Sequence, residues 1–560
     1  MLANPAFLAL LGALLVPMLR GRWRGGWMLL VPSAGMVLLW TLPEGSAGTV
    51  ELFGLLLHPL RIDPLAQVFA TAFFIATLLC AIYALHIRDT VQQVAILLYG
   101  GSTVGGVLAG DLLTLFVFWE LTGITSVFLI LARRTDRGVR AGLRYLAAQV
   151  TSGVLLLGGI VLYVQAGNDL TFGHIGTGSV AGWLILLAIG IKCAFPVLHV
   201  WLQDTYPEAT IVGTVALSPF TTKLAIYALL RGFEGTELLI WVGAIMTCFP
   251  ILYAVIENDL RRVLAYSLIN QLGFMVVGAG IGGELGVNGA ASHAFAHIIY
   301  KALLFMAMGA VLYRVGTIKA SELGGLYKSM PQTAAMCIVG AASISAFPLF
   351  SGFVTKSITM DAAAGQHLTV IWLMLLFASA GVFHHAGIKV PFFAFFAHDR
   401  GHRVQEAPLN MRAAMGLAAA ACVFIGLVPG PLYALLPYPV DFVPYTAPHV
   451  INQLQLLLLA AMAFTVLMRT GLYPPELRAV NVDFDVVYRR MLPRLARAAA
   501  RDLEPARNSL GGLARRAGNL AAAASRPVGP GGWLSASWST GAMVWWVAML
   551  LGAYLVVSLL

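Results

Sequence analysis

The stretch His293-Ala-Phe-Ala-His297-Ile-Ile-Tyr-Lys301-Ala-Leu-Leu-Phe-Met306 decides how the chain is read. It lies in an apolar run long enough to cross a bilayer as helix, yet it carries three ionisable side chains. Their i, i+4, i+8 spacing stacks them on one helix face. Histidine titrates near neutrality, so the stripe predicts a proton wire. A hydrogen-bonded structural stripe and a metal site are the competing readings. His-x3-His can hold a metal, but no third ligand lies nearby in sequence and the H-E-x-x-H form is absent.

On either side of this stretch, apolar runs of about 20 residues recur along most of the chain, the length a helix needs to span hydrocarbon. Of 560 residues, 59% are hydrophobic and 11% charged. A soluble domain carries roughly 25% charged residues. Barrel strands would be about 10 residues long and alternating, and these runs are neither. The predicted class is an all-α polytopic membrane protein with about 14–16 transmembrane helices. Their centres fall near residues 11, 35, 75, 100, 121, 154, 192, 221, 246, 272, 302, 345, 378, 420, 459 and 549.

A net charge of +10 could suggest nucleic acid, but the charges follow membrane topology instead. Arg20, Arg22 and Arg24, then Arg133, Arg134, Arg137, Arg140 and Arg144, then Arg261 and Arg262 fall in loops on one side. Arg314, Lys319, Lys328, Arg400, Arg403 and Arg412 continue that side. The alternate loops carry Glu44, Glu51, Asp63, Asp169, Glu234, Glu237, Glu284 and Asp361. The positive-inside rule makes the basic side cytoplasmic and places the N-terminus outside. Residues 1–19 lack a basic n-region and a cleavage site, so they read as the first span. Cys80, Cys193, Cys248, Cys337 and Cys422 are scattered through apolar runs and read as small hydrophobes. Residues 469–530 hold eleven arginines and many alanines, with a turn at Pro527-Val528-Gly529-Pro530. They predict a basic segment, partly helical, along the cytoplasmic membrane surface, touching anionic lipid or a neighbouring protein of the same complex. A last span over 537–560 follows.

Once the loop charges are set aside, Glu120, Lys192, Lys223, His293, His297, Lys301 and Lys356 remain inside spans. Each charge at mid-bilayer costs roughly 2.5–3.5 kcal/mol, and the default reading of such residues is an ion pathway. Glu120 lies nine residues beyond Asp111, about 13 Å deeper at 1.5 Å per residue. Lys192 is its natural partner, either as a static pair or as a switchable one. A desolvated lysine such as Lys223 can exchange its proton near neutral pH. Two spans are broken by proline: Lys192-Cys-Ala-Phe-Pro196 and Ala346-Phe-Pro348-Leu-Phe-Ser-Gly352-Phe-Val-Thr-Lys356. Each sets Ala-Phe-Pro beside a lysine, once before the proline and once after it. Interrupted helices paired in two halves mark inverted-repeat transporters.

These strings, with Asp111–Leu121, Phe195–Asp204 and Asn258–Ser267, resemble the antiporter-like subunits shared by Mrp-type cation/proton antiporters and respiratory complex I. The likeness covers about residues 60–360. It implies two inverted five-helix repeats, each with a broken helix, and a proton path along the membrane plane. By position Glu120 resembles the glutamate of the fifth helix, Lys192 the lysine of the broken seventh and Lys223 that of the eighth. His293, His297 and Lys301 resemble the eleventh-helix relay, and Lys356 the end of the path on the broken twelfth. The D-type component of a Mrp antiporter for Na+ and protons, in a bacterial cytoplasmic membrane, fits best. Proton-pumping components of complex I or a membrane-bound hydrogenase, and the membrane component of a bicarbonate-uptake complex, are the alternatives. The resemblance divides the chain into N-terminal helices (1–110), a first half-channel (111–232), a second (237–390), C-terminal helices (410–468) and the basic tail with its span. It implies protons and monovalent cations as cargo and other membrane proteins of a hetero-oligomeric complex as partners. No cofactor is implied: there is no nucleotide loop, haem motif or cysteine cluster.

Overall fold

Short polar side chains set where many of the helices begin. Asn4, Asp63, Asp89, Asp111, Thr135, Ser179, Thr210 and Asp259 each accept a bond from a backbone amide in the first turn that follows. Such caps supply partners for amides that have none within the helix. In the computed structural model, which describes residues 4–46, 48–52, 54–474, 476–477, 481–525 and 539–559, the helices in chain order are α1 (Pro5–Leu15), α2 (Gly21–Thr41), α3 (Pro64–Ala84), α4 (Thr90–Val107), α5 (Leu112–Leu131), α6 (Asp136–Gln165), α7 (Val180–Cys193), α8 (Val200–Thr205), α9 (Ile211–Leu217), α10 (Thr221–Gly232), α11 (Glu237–Ile256), α12 (Leu260–Ile281), α13 (Gly283–Val315), α14 (Pro331–Ile344), α15 (Ser351–Gly365), α16 (Thr369–Val382), α17 (Leu409–Leu427), α18 (Gly430–Tyr433), α19 (Ala447–Thr470), α20 (Leu492–Ser525) and α21 (Thr540–Leu559). Two short antiparallel pairings, Gly45–Ser46 with Arg61–Ile62 and Val50–Leu52 with Leu55–Leu57, decorate the α2–α3 connection.

Among the described residues, ten helical segments are long and apolar enough to cross a membrane. The predicted centres all fall on helices except that near 345, which lands on the break between α14 and α15. The remaining centres that fall on helices mark ones that are shorter, such as α1 and α7, or more polar, such as α2. Several boundaries differ from the reading of the sequence: Arg22 and Arg24 lie on α2, Arg261 and Arg262 on α12, Arg314 on α13 and Arg412 on α17. Arg137, Arg140 and Arg144 are not in a loop but on the first turns of α6, because Thr135 caps that helix through Gly138 N.

The chain forms two units, Met1–Asn481 and Val482–Leu560. In the first, α12 and α13 are buried along almost their whole apolar length and form the centre. Around α13 stand α12, α15, α14, α17, α3 and α9. The second unit holds α20 and α21. In α20 the leucines at 492, 495, 503, 513 and 520 fall on one side and Arg494, Arg497, Arg501 and Arg515 on the other, so this helix is amphipathic. The predicted turn at Pro527–Pro530 and the first residues of the last predicted span lie outside the described residues.

Candidate functional site: a buried polar pathway

Both predicted helix breaks are present, and their backbones match. Helix α7 ends in Ala194 at φ 61°, and the corresponding Ala346 after α14 has φ 56°. The following amides reach back across the end of the helix: Phe195 N to Gly190 O at 2.9 Å and Phe347 N to Ala342 O at 3.0 Å. Each phenylalanine then opens a proline turn, closed by Leu198 N to Phe195 O at 2.9 Å and Phe350 N to Phe347 O at 3.2 Å. The second central residues, Val197 and Leu349, sit at φ 74° and 75°. Proline first and a positive φ second define a type II turn, in which that place normally takes glycine. A branched side chain held there stores strain, so the surrounding structure must enforce it. Side chains cover the carbonyls at each break: Trp201 Nε1 donates to Ile191 O at 2.8 Å and Gln453 Nε2 to Ser345 O at 3.2 Å. Gly352, at the start of α15, has no room for a side chain, since a Cβ would lie 1.9 Å from Ser343 O.

The titratable groups line up around these breaks. Lys192 is wholly buried on the last turn of α7. Its ammonium donates to the carbonyl of Trp119 and to Thr122 Oγ1 at 3.2 Å, and sits 4.5 Å from the Trp119 ring centre. Glu120, the next residue of α5, is half-buried, and its Oε1 has no hydrogen-bond partner among the described residues. The two groups are neighbours, with the ammonium bonded to Trp119 O and Thr122 Oγ1 rather than to the carboxylate. Trp119 O and Thr122 hold the ammonium because their spacing on α5 brackets Glu120. The carboxylate instead occupies a notch over Gly153 of α6, where a Cβ would lie 1.6 Å from Oε1.

Lys223 on α10 is also fully buried and donates to Ser218 O at 2.8 Å and Thr222 Oγ1 at 3.2 Å. His293, His297 and Lys301 lie buried on α13. The two imidazoles are 6.1 Å apart, and Tyr300 stands between them and Gln271, its hydroxyl 3.4 Å from His293 Nε2 and 3.2 Å from Gln271 Oε1. Gln271 continues to Asn270 at 2.6 Å. Neither nitrogen of His297 and neither the Lys301 nor the Lys356 ammonium has a hydrogen-bond partner among the described residues. Lys356 on α15 faces the Phe274 ring and opens onto a cavity of about 680 Å³, whose wall includes Asp361, His449 and Gln453.

Some participants went unnoticed in the sequence. Thr122, Gly153, Tyr300 and Gln271 shape the pathway without being ionisable at neutral pH. A further set, His384, His385 and Lys389, lies on the π-helical turn Phe383–Lys389, which with a second, Phe392–Phe396, prolongs α16. His385 and Lys389 are fully buried. The Lys389 ammonium meets three carbonyls at the end of α11, those of Ala254, Val255 and Glu257 at 3.3, 2.6 and 2.7 Å, and lies 3.0 Å from the Glu476 carboxylate. The signal was there: two histidines and a lysine within an apolar run.

Residues 109–384 match the family described as NADH:quinone oxidoreductase/Mrp antiporter, transmembrane. The D-type component of the Na(+)/H(+) antiporter of Alkalihalophilus pseudofirmus is 31% identical over 311 residues, covering 50% of this chain and 62% of that protein. Hydrogenase-4 component B of Escherichia coli is 27% identical over 416 residues, covering 66% of this chain and 62% of that protein. The chain thus spans less than two thirds of the length of these relatives. Among solved structures, a chain of the Mrp complex from Dietzia sp. superposes with a TM-score of 0.65 at 22% identity, covering 77% of this chain and 92% of its own. A chain of an archaeal membrane-bound sulfane sulfur reductase superposes with a TM-score of 0.71 at 21% identity, covering 99% of both chains.

Proposed function

We propose that this chain, which carries the transmembrane domain of the NADH:quinone oxidoreductase/Mrp antiporter family over residues 109–384, conducts protons as one component of a multisubunit monovalent cation/proton antiporter. One observation carries the reading. Lys192, Lys223, Lys301 and Lys356 are buried, and their hydrogen-bond acceptors, where they have any, are carbonyl and hydroxyl oxygens. At roughly 2.5–3.5 kcal/mol each, four such lysines cost on the order of 10 kcal/mol, comparable with a whole domain's net stability. Packing alone gives no reason to keep them.

In this mechanism Glu120 and Lys192 are a pair that opens and closes. Closing draws the ammonium off Trp119 O and Thr122 toward the carboxylate. Opening returns it to neutral acceptors, where its proton is released most readily. The proton passes to Lys223, then through His297 toward Lys301 and Lys356, and leaves by the cavity beside Asp361. The two matched helix breaks let the elements bearing Lys192 and Lys356 shift without unwinding a full span. Residues 111–232 and 237–390 act as the two half-channels. The arginine-rich loops face the cytoplasm, which places the N-terminus outside the cell membrane. Cation movement belongs to partner proteins of the complex.

A second reading has its own support. The Mrp superposition leaves about a quarter of this chain unmatched, while the sulfane sulfur reductase chain is matched almost end to end. Together with the hydrogenase relative, this favours the same proton path driven by a redox module. Purification of the intact complex separates the two: iron–sulfur partners identify the redox-driven form, small hydrophobic partners the antiporter. The path itself is tested by Glu120→Ala and Lys192→Ala in vesicles. Both variants assemble and lose proton translocation. Wild-type translocation in both would refute the path.

A further inference from the structure

We infer that Glu476, paired with Lys389, is the carboxylate through which the buried pathway meets water on the arginine-rich face. This rests on the proton-path reading and gives it a second port, opposite the Lys356 cavity.

The observations are geometric. A cavity of about 300 Å³ is lined by Ser321, His398, Arg400, Tyr473 and Glu476. That volume holds several waters. Its rim belongs to the basic side, since Ser321 follows α13 past Arg314, and Arg400 follows the π turns. The Lys356 cavity contains Asp361 and the start of α19, and so opens on the other side. Among the residues lining the first cavity, Glu476 and Tyr473 are nearly buried. Apart from the ion pair with Lys389, the Glu476 oxygens have no polar partner, and the Tyr473 hydroxyl has none at all among the described residues. Buried polar atoms left in this way call for an explanation, and contact with cavity water supplies one.

Behind them polar groups continue inward. The His384 ring lies 5.6 Å from that of Tyr473, and its Nε2 is unpartnered among the described residues. His385 is buried beside them, and Lys301 and Lys389 bear electrostatically on its ring. Lys301 is the end of the α13 stripe. Other charges face the cluster: the Glu257 carboxylate, which bears on both Lys389 and Glu476, is held in turn by Arg262 at 3.8 Å and Asn481 at 3.2 Å. The arrangement resembles that at Glu120: each carboxylate stands beside a lysine whose ammonium already meets neutral carbonyl or hydroxyl oxygens, so the carboxylate can take up a proton without stranding its partner. Burial holds the Glu476 carboxyl above its usual range, against the pull of Lys389. Such a group picks up a proton from water more readily than a surface glutamate does.

The test uses the whole complex in sealed vesicles of both orientations, with a pH dye on one face at a time. Glu476→Gln should slow translocation at least ten-fold, with proton uptake lost at the arginine-rich face. Wild-type flux in Glu476→Gln, alongside the loss in Glu120→Ala, overturns the port and leaves the path standing. Wild-type flux in both variants overturns the path, and the port with it. If the glutamine protein fails to assemble, Glu476→Asp is read instead. It keeps a titratable group one methylene shorter, so its flux–pH profile should move, and an unmoved profile overturns the port.

Discussion

Replacing Gly153 by alanine isolates the position of one carboxylate. The three atoms nearest the new Cβ all belong to Glu120: Oε1 at 1.6 Å, Cδ at 2.3 Å and Oε2 at 3.0 Å. Ordinary contact begins at 3.4 Å, so Oε1 must retreat by about 1.8 Å. The displaced group is the far end of a flexible side chain. Moving it costs at most about 0.5–1.5 kcal/mol of rotamer strain, and alanine returns roughly 0.8–1.0 kcal/mol of helix propensity. Folding and assembly therefore stay near wild type. Function does not, because a displacement of about 1 Å at a reacting group can cost around a hundred-fold in rate. The expected result is a ten- to hundred-fold loss of proton flux in vesicles, with unchanged thermal stability of the purified complex. Gly158→Ala, on the same helix but with nothing within 4 Å of its Cβ, is the matched control and should be silent. Added to Glu120→Ala, Gly153→Ala should cause no further loss. Wild-type flux in Gly153→Ala would refute the reasoning about Glu120. Failure of Gly153→Ala to assemble would refute the claim that only a flexible side chain stands in the way.

Val197→Gly should raise thermal stability by about 1 kcal/mol, because glycine removes the penalty of roughly 1–2 kcal/mol for a left-handed residue and loses part of that gain to chain entropy. A melting temperature below wild type would contradict the type II turn. Ending the chain at Asn481 should leave membrane insertion within two-fold of wild type, because the buried apolar clusters of the described residues lie in the first unit. Aggregation of the shortened protein, measured by detergent size exclusion, would show the second unit to be needed for the first to fold.

What could be read in advance follows from how local its cause was. Proline inside an apolar run removes an amide and must break or bend a helix, so Pro196 and Pro348 announced both breaks. That Ala194 and Ala346, and then Val197 and Leu349, repeat each other's φ values shows that Ala-Phe-Pro encodes a conformation, not a chance string. Charges in apolar runs are equally local, which is why the α13 stripe was legible from its spacing. The relation of Glu120 to Lys192 was not, because it depends on a four-carbon stem choosing Trp119 O and Thr122 and on a glycine of another helix making room for the carboxylate. Neither choice leaves a mark within either residue's own segment.

The miss at Lys389 has a more specific origin. Pro391 stands two residues on, and a proline ordinarily argues that a helix ends before it. Here π turns on either side of Val390–Pro391 carry the helix through to Phe396. The wider π winding moves each hydrogen bond to the fifth residue back, so the proline's missing amide falls in a register already disturbed. π-bulges are rare and concentrate at functional sites. This one turns His385 and Lys389 inward instead of leaving Lys389 to reach for the surface, and it brings the ammonium onto the end of α11 beside Glu476. A lysine placed there by an unfavourable helix geometry, and then satisfied by three carbonyls, is held for a purpose other than packing. The same reasoning that singles out Lys192 at a strained break therefore singles out Lys389 at a strained winding.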